Sequence, residues 1–216
     1  RKFFYEEYQL NHLMFEYAKP MVAFMDGIVM GGGVGISQPA RYRVATENTR
    51  FAMPETGIGL FPDVGGGWFL ARLPHRMGQF LALTGARLDG AECVWTGLAT
   101  HFLRSETLPE AKERIAQGHD PGQVLSALAE AHLPEARIET NAQAIARHFA
   151  SDRLEDILAS LEADQGDWAI RELATIRTKS PQACKVALRQ LHDSLSCKDF
   201  AANMAMEMRI ASRVIV

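Results

Sequence analysis

The sequence is poor in the features that most readily assign a chain. Its three cysteines, Cys93, Cys184 and Cys197, are odd in number and show no metal-ligand spacing. That pattern predicts free thiols in a reducing compartment rather than a disulfide framework. HExxH and CxxC do not occur, so a metal site has no support in the sequence. Basic residues are not in excess: 23 Lys and Arg stand against 26 Asp and Glu, a formal charge of -3. Such a chain has no positive field to draw in phosphate backbones, and nucleic acid is not expected as a partner. No apolar run approaches the roughly 20 residues that span a bilayer, and no signal-peptide pattern is visible. No membrane partner is therefore expected, and a fixed-period repeat or low-complexity tract is also lacking.

What is present is an ordinary globular composition, 47% hydrophobic and 23% charged over 216 residues, enough chain to bury a sizeable core. The sequence opens on Arg1 inside a helical pattern and stops at Val216 inside another, which suggests part of a longer protein. One stretch organises the rest, residues 27 to 67, GIVMGGGVGISQPARYRVATENTRFAMPETGIGLFPDVGGG. It holds two glycine clusters, Gly31 to Gly33 and Gly65 to Gly67, with Glu55 and Asp63 between them in apolar surroundings. Consecutive glycines cost backbone entropy and allow close approach, so both clusters predict something seated against the backbone.

Residues 3 to 17 place Phe3, Phe4, Leu10, Leu13, Met14 and Tyr17 at helical spacings, and Lys19-Pro20 ends that helix. Met21 to Phe24 reads as a buried strand and Asp26-Gly27 as a turn; Val34 to Ser37 reads as the first turns of a helix. Tyr42 to Ala45 and Arg50 to Met53 read as further strands, Gly57 to Val64 as an apolar loop, and Ala99 to Leu103 as a last strand. Helices are expected over Trp68 to Leu73, Gly78 to Leu83 and Asp89 to Trp95, the last opened by a capping box of Asp89 and Glu92. After Arg104 nothing alternates with period two. Helix starts there fall at Thr107, Asp120, Asp152 and Ser180. The fold class expected is α/β, with an α/β core over residues 1–104 and an all-helical region over 105–216.

Several familiar motifs are nearly spelled and fail. GxGxxG would need glycine where Ile36 stands, the P-loop lysine is absent, and GxSxG meets Pro39 in place of its second glycine. The histidines His12, His75, His101 and His148 have no partner at ligand spacing and read as structural. Met204, Met206 and Met208 read as core or interface. What remains is the carboxylate pair. Two glycines and a proline lie between Glu55 and Asp63, so the chain can fold back and bring both to one pocket, where burial and mutual repulsion would separate their pKa values. The structural alternatives are a cap or surface ion pair for Glu55, a helix N-cap for Asp63, and a tight turn with close helix packing for Gly31 to Gly33. The functional alternative for the glycines is an N–H, at Gly32, donating to a developing oxyanion. Glu6 and Glu7 read as a solvated helix face.

KPMVAFMDGIVMGGGVGIS, FAMPETGIGLFPDVGGG and LTGARLDGAECVWTGLATHF together resemble the crotonase (enoyl-CoA hydratase/isomerase) superfamily, in particular its 3-hydroxyisobutyryl-CoA hydrolase branch. The resemblance implies a ββα spiral core, lacking its N-terminal part and one of two oxyanion donors, followed by a helical C-terminal region. It implies an acyl-CoA thioester substrate, with CoA belonging to the substrate and no separate cofactor, and it allows a homo-oligomer. Thioester hydrolysis within valine breakdown is the reaction it suggests, in the cytoplasm of a bacterium or the mitochondrial matrix of a eukaryote. By resemblance Gly32 is the oxyanion donor, Glu55 and Asp63 are the catalytic pair, and Glu7 lies at the substrate site. Where the hydratases carry their first glutamate this chain has Gly35. A hydratase or isomerase is the same-class alternative, and a non-catalytic acyl-CoA-binding protein the alternative from another class.

Overall fold

The computed structural model describes residues 2–214; the expectations attached to Arg1 and to Val216 lie outside them. Two short parallel sheets carry the first half. Strands β1 (Val22–Met25), β3 (Tyr42–Ala45) and β5 (His101–Phe102) form one sheet in the order β1-β3-β5, and β2 (Ile28–Met30) pairs with β4 (Arg50–Ala52) in the other. Each turn of the chain thus gives one strand to each sheet before a helix, the ββα repeat. The register aligns Val22 with Tyr42 and Ile28 with Arg50.

β2 is the element that sequence reading missed. Three residues are too short to show a period, so Ile28–Met30 carries no strand signal of its own between the Asp26-Gly27 turn and the glycine cluster. Its pairing with β4, an interaction between segments 22 residues apart in register, is what makes it a strand.

Helix α1 (Lys2–Phe15) opens the chain, α2 (Gly32–Ser37) follows β2, and α3 (Gly66–Ala71), α4 (Met77–Thr84) and α5 (Gly90–Thr96) connect β4 to β5. A 3-10 turn, Glu55–Ile58, runs into the first two residues of the segment expected as a loop, Gly57 to Val64. The capping box at α5 is present: Asp89 accepts from the Glu92 N–H, and Glu92 accepts from the Asp89 N–H. The second half supplies α6 (Leu108–Ala116), α7 (Pro121–Leu128), α8 (Ala142–His148), α9 (Leu154–Ala163), α10 (Asp167–Arg177), α11 (Pro181–Leu195) and α12 (Phe200–Val214), with no strand among the described residues. Asp120 and Ser180 cap α7 and α11 through their side chains. Asp152 does not cap α9; it is drawn instead to Arg76 and His192, an ion pair formed only in the tertiary fold. Thr107 precedes α6 without a side-chain cap, its hydroxyl donating back to the Arg104 carbonyl.

The buried stripe of α1 is also different from the one expected. Tyr8 and Asn11 are buried with Phe4 and Phe15 packed alongside, whereas Phe3, Leu10, Leu13 and Tyr17 are exposed. α1 is apolar on more than one side, so its neighbours choose the face. The choice is made by α12: the Phe15 ring stacks on Phe200 at 4.1 Å, and Trp68 and Phe69 of α3 close on the same ring. One continuous apolar core runs from these residues through Phe51, Met53, Phe80 and Phe149 to α9, α10 and α11, bringing α12 against the glycine-rich end of the first half.

Candidate active site

The turn between β2 and α2 begins the site. Gly31 takes φ 52°, a left-handed value that glycine adopts freely. Gly32 and Gly33 then head α2, where first-turn amides have no acceptor within their own helix. Packing does not explain the glycine at 33, where a Cβ would touch nothing within 4 Å.

Three carboxylates gather around it. A Cβ on Gly32 would stand 3.2 Å from Oε1 of Glu7, and one on Gly31 would stand 4.0 Å from Oε1 of Glu55. Glu7 therefore faces the glycine turn rather than open solvent, contrary to the plain reading of a solvated helix face. Next to Glu7 on α1, Tyr8 donates from its hydroxyl to Oδ2 of Asp63 at 2.8 Å. The glycine turn, Glu7, Glu55 and Asp63 are brought to one place.

Glu55 opens the 3-10 turn after β4 and, among the described residues, neither caps a helix through its side chain nor pairs with a cation. It is 6% exposed, and its Oε2 has no hydrogen-bond partner among the described residues. Burial first, and the charge of Asp63 second, push its pKa up to about 8. Asp63 is also raised by burial, against the opposing pull of the Tyr8 hydroxyl, and it is not an N-cap: only its backbone carbonyl accepts from Gly66. Glu7 is raised by burial and then by Asp63. Burial thus favours the protonated form of all three, and Glu55, at about 8, exchanges its proton within reach of neutral pH, the condition for proton transfer or for attack by a weakly solvated carboxylate.

Gly35 has a different job. A Cβ there would lie 2.7 Å from Cβ of Val64 and 2.8 Å from Nδ2 of Asn11, which itself donates to the Gly35 carbonyl at 3.0 Å. No longer side chain fits at that place.

The second glycine cluster corrects the expectation of an approaching ligand. Its neighbours are internal: Cβ atoms on Gly65, Gly66 and Gly67 would collide with Phe200, Met53 and Gln190. The Gly65 and Gly67 N–H groups donate to the carboxylate of Glu207 at 2.8 and 3.1 Å. Tyr8 and Glu207 were both missed in the sequence. Tyr8 left a weak signal as the neighbour of Glu7, and Glu207 as an acid inside the apolar run that holds Met204, Met206 and Met208. Met204 and Met206 are buried, with Met208 packed against the core. His148 is buried between Ser160 and Asp164, away from these carboxylates.

A parallel ββα repeat with an open glycine turn facing buried carboxylates defines a crotonase-type fold. The enoyl-CoA hydratase/isomerase family matches residues 1–216, and the chain belongs to that family. Among curated relatives, the mitochondrial 3-hydroxyisobutyryl-CoA hydrolase of Xenopus tropicalis is 42% identical over 97% of this chain and 56% of its own length. The protein of the same name from Homo sapiens is 41% identical with the same coverage of each. A solved carnitinyl-CoA dehydratase from Mycobacterium thermoresistibile superposes with a TM-score of 0.94 at 34% identity, over 99% of this chain and 62% of that one. An enoyl-CoA hydratase from Rhodobacter sphaeroides 2.4.1 gives 0.89 at 35%, over 98% and 61%. The chain thus spans a little over half the length of the relatives it matches.

Proposed function

We propose that this chain carries the carboxylate half of an acyl-CoA thioester hydrolase acting on 3-hydroxyisobutyryl-CoA. The observation that carries the reading is the gathering of Glu55, Asp63 and Glu7 at the Gly31-Gly32 turn while Gly35 is closed to any side chain. Water addition by two glutamates needs a carboxylate at the Gly35 position, and Val64 and Asn11 occupy that space. The names of the Xenopus and human relatives support the same choice.

In this reading the Gly32 N–H donates a hydrogen bond to the thioester oxygen as negative charge develops on it. Glu55 attacks the carbonyl carbon, the C–S bond breaks, and the thiolate leaves with a proton delivered through Asp63. Water then splits the mixed anhydride, with Asp63 taking its proton, and the carboxylate of Glu55 is restored. Alternatively Glu55 takes the proton from an attacking water directly. Heavy oxygen from labelled water entering the Glu55 carboxyl in a single turnover marks the first course with water attacking the Glu55 carbonyl of the anhydride, and trapping of an acyl-enzyme separates attack at the acyl carbon from the second course. Glu7, facing Gly32, holds the hydroxyl of the acyl group. The mitochondrial names of the relatives support a matrix location in a eukaryote, and a bacterial source implies the cytoplasm; homo-oligomers are compatible with either.

The test is release of free thiol from 3-hydroxyisobutyryl-CoA by the intact natural protein. Glu55→Gln and Asp63→Asn should each cost at least the about 10²- to 10³-fold typical of one lost oxyanion-hole donor. Undiminished rates in both variants reject the assignment. The titles of the two solved neighbours favour one second reading, hydration or dehydration of an acyl-CoA. Hydration of crotonyl-CoA without thiol release would establish it.

A further inference from the structure

Glu207 is fully buried, yet it is a carboxylate by its surroundings. Its Oε2 accepts from the Gly65 N–H, and its Oε1 accepts from the Gly67 N–H at 3.1 Å, from Nε2 of Gln190 at 3.1 Å and from Nδ2 of Asn203 at 2.9 Å. Burial raises its pKa to about 7, with the charge of Asp63 adding to the rise, while the N–H donors of Gly65, Asn203 and Gly67 favour the ionised form. A buried charge of this kind is costly unless every lone pair is used. Here it satisfies the amides of a glycine-rich turn from the inside, where such turns elsewhere receive anionic ligands.

The turn it grips is the one that presents Asp63. Val64 takes φ 52° and Gly65 φ 88°, so two consecutive residues are left-handed, and for a β-branched side chain that is a strained conformation. The residues on both sides of Asp63 are held by the same network. Gln190 donates to the Pro62 carbonyl at 2.6 Å on one side, and Glu207 accepts from Gly65 on the other. Behind Glu207 the support continues: Ser194 donates to Oδ1 of Asn203 at 2.6 Å, and Arg72 donates to the Ser194 carbonyl at 3.2 Å. The carboxylate of Asp63 itself has one side-chain donor among the described residues, Tyr8.

We propose that Glu207, with Gln190, is the positioning residue for Asp63: the buried carboxylate clamps the 62–65 turn and so sets where the Asp63 side chain stands relative to Glu55 and the Gly32 amide. Glu207 touches no reacting atom. The proposal rests on the hydrolase reading above for its kinetic consequence and on the clamp geometry alone for its structural one.

The experiment is a double-mutant cycle in the intact protein. Glu207→Gln keeps the shape and turns an N–H₂ toward a backbone donor. In the wild-type background it should lower kcat for thiol release about 10- to 100-fold, the scale of a misplacement of about 1 Å at a reacting group, and leave KM within about twofold. In the Asp63→Asn background the same substitution should change kcat less than about threefold, because its effect passes through Asp63. Equal losses in both backgrounds, or a raised KM with unchanged kcat, overturn the proposal. If wild-type protein releases no thiol, the hydrolase reading fails and hydrogen exchange decides the clamp. Gly65 and Gly67 amides that are slow in wild type and at least about 100-fold faster in Glu207→Gln support it, by the opening that loss of a buried charged acceptor permits; equal rates overturn it. Should Glu207→Gln not fold, Gln190→Met, which frees the Pro62 carbonyl and removes one of the donors to Glu207, is judged on the same criteria.

Discussion

Tyr8 and Asp63, 55 residues apart, are joined by a 2.8 Å hydrogen bond from the phenol to the carboxylate. Burial and the nearby Asp63 both push the Tyr8 pKa upward, so the phenol remains a donor at every working pH. A hydrogen bond to a charged group contributes about 1.5–3 kcal/mol. If all of it is expressed in the chemical step, Tyr8→Phe should lower kcat about 10- to 150-fold. Without the donor, ionised Asp63 is stabilised less, so the pH dependence assigned to it should move upward. An unchanged pH profile with undiminished kcat would leave Tyr8 a space-filling residue only. Steady-state kinetics from pH 5 to pH 9 make the measurement.

Glu55 should set a pH dependence of stability. Its pKa in the fold is about 8 against an ordinary 4.5. Between those values the unfolded chain gives up a proton that the folded chain keeps, so stability falls as pH rises through this window. Each unit of difference corresponds to about 1.4 kcal/mol. Glu55→Gln, which cannot ionise, should match wild type near pH 5 and exceed it in urea unfolding at pH 8, while losing activity. The wild-type kcat/KM should climb with pH toward about 8 if the ionised form does the work. A wild-type stability that rises from pH 5 to pH 8 relative to the variant would contradict the assignment.

Gly35→Glu tests whether a hydratase arrangement can be installed. The new Cβ would lie 2.7 Å from Val64 and 2.8 Å from Asn11. Overpacking of this kind costs about 1–3 kcal/mol or more, and in a chain of this size each kcal/mol lowers Tm by about 2–4 °C. Calorimetry should therefore show a loss of several degrees, and the variant should not hydrate crotonyl-CoA. A stable variant that gains hydratase activity would show the space to be open.

The cysteines should separate by burial. Cys93 and Cys184 are fully buried with thiols pushed up by desolvation, whereas Cys197 is half-buried and donates weakly to the Asp193 carbonyl at 3.6 Å. Ellman's reagent should modify one thiol in the native protein and the remaining two only on unfolding. Cys197→Ser removes that fast background from a thiol-release assay. Fast reaction of either Cys93 or Cys184 after that substitution would refute the placement.

Local sequence was enough for features whose causes lie within a few residues. The Asp89 and Glu92 capping box, the Asp120 and Ser180 caps and the long helices of the second half follow from side-chain to backbone bonds and a 3.6-residue period, and they form as read. So does the bend at Gly31, where the residue itself permits φ 52°. The family resemblance, not local pattern, grouped Glu7 with Glu55, Asp63 and Gly32; from its own helix alone Glu7 reads as a solvated face. What tertiary structure alone decided is everything set by a partner far along the chain. Three residues, Ile28–Met30, became a strand because β4 lay beside them. The face of α1 was chosen by Phe200, and Asp152 was taken from its helix by Arg76. Gly65 to Gly67, read as a place for a ligand, is filled by Glu207 from 142 residues away. A glycine amide has the same local signature whether its acceptor is a substrate or a buried side chain, and only the packing of α12 against the turn distinguishes the two.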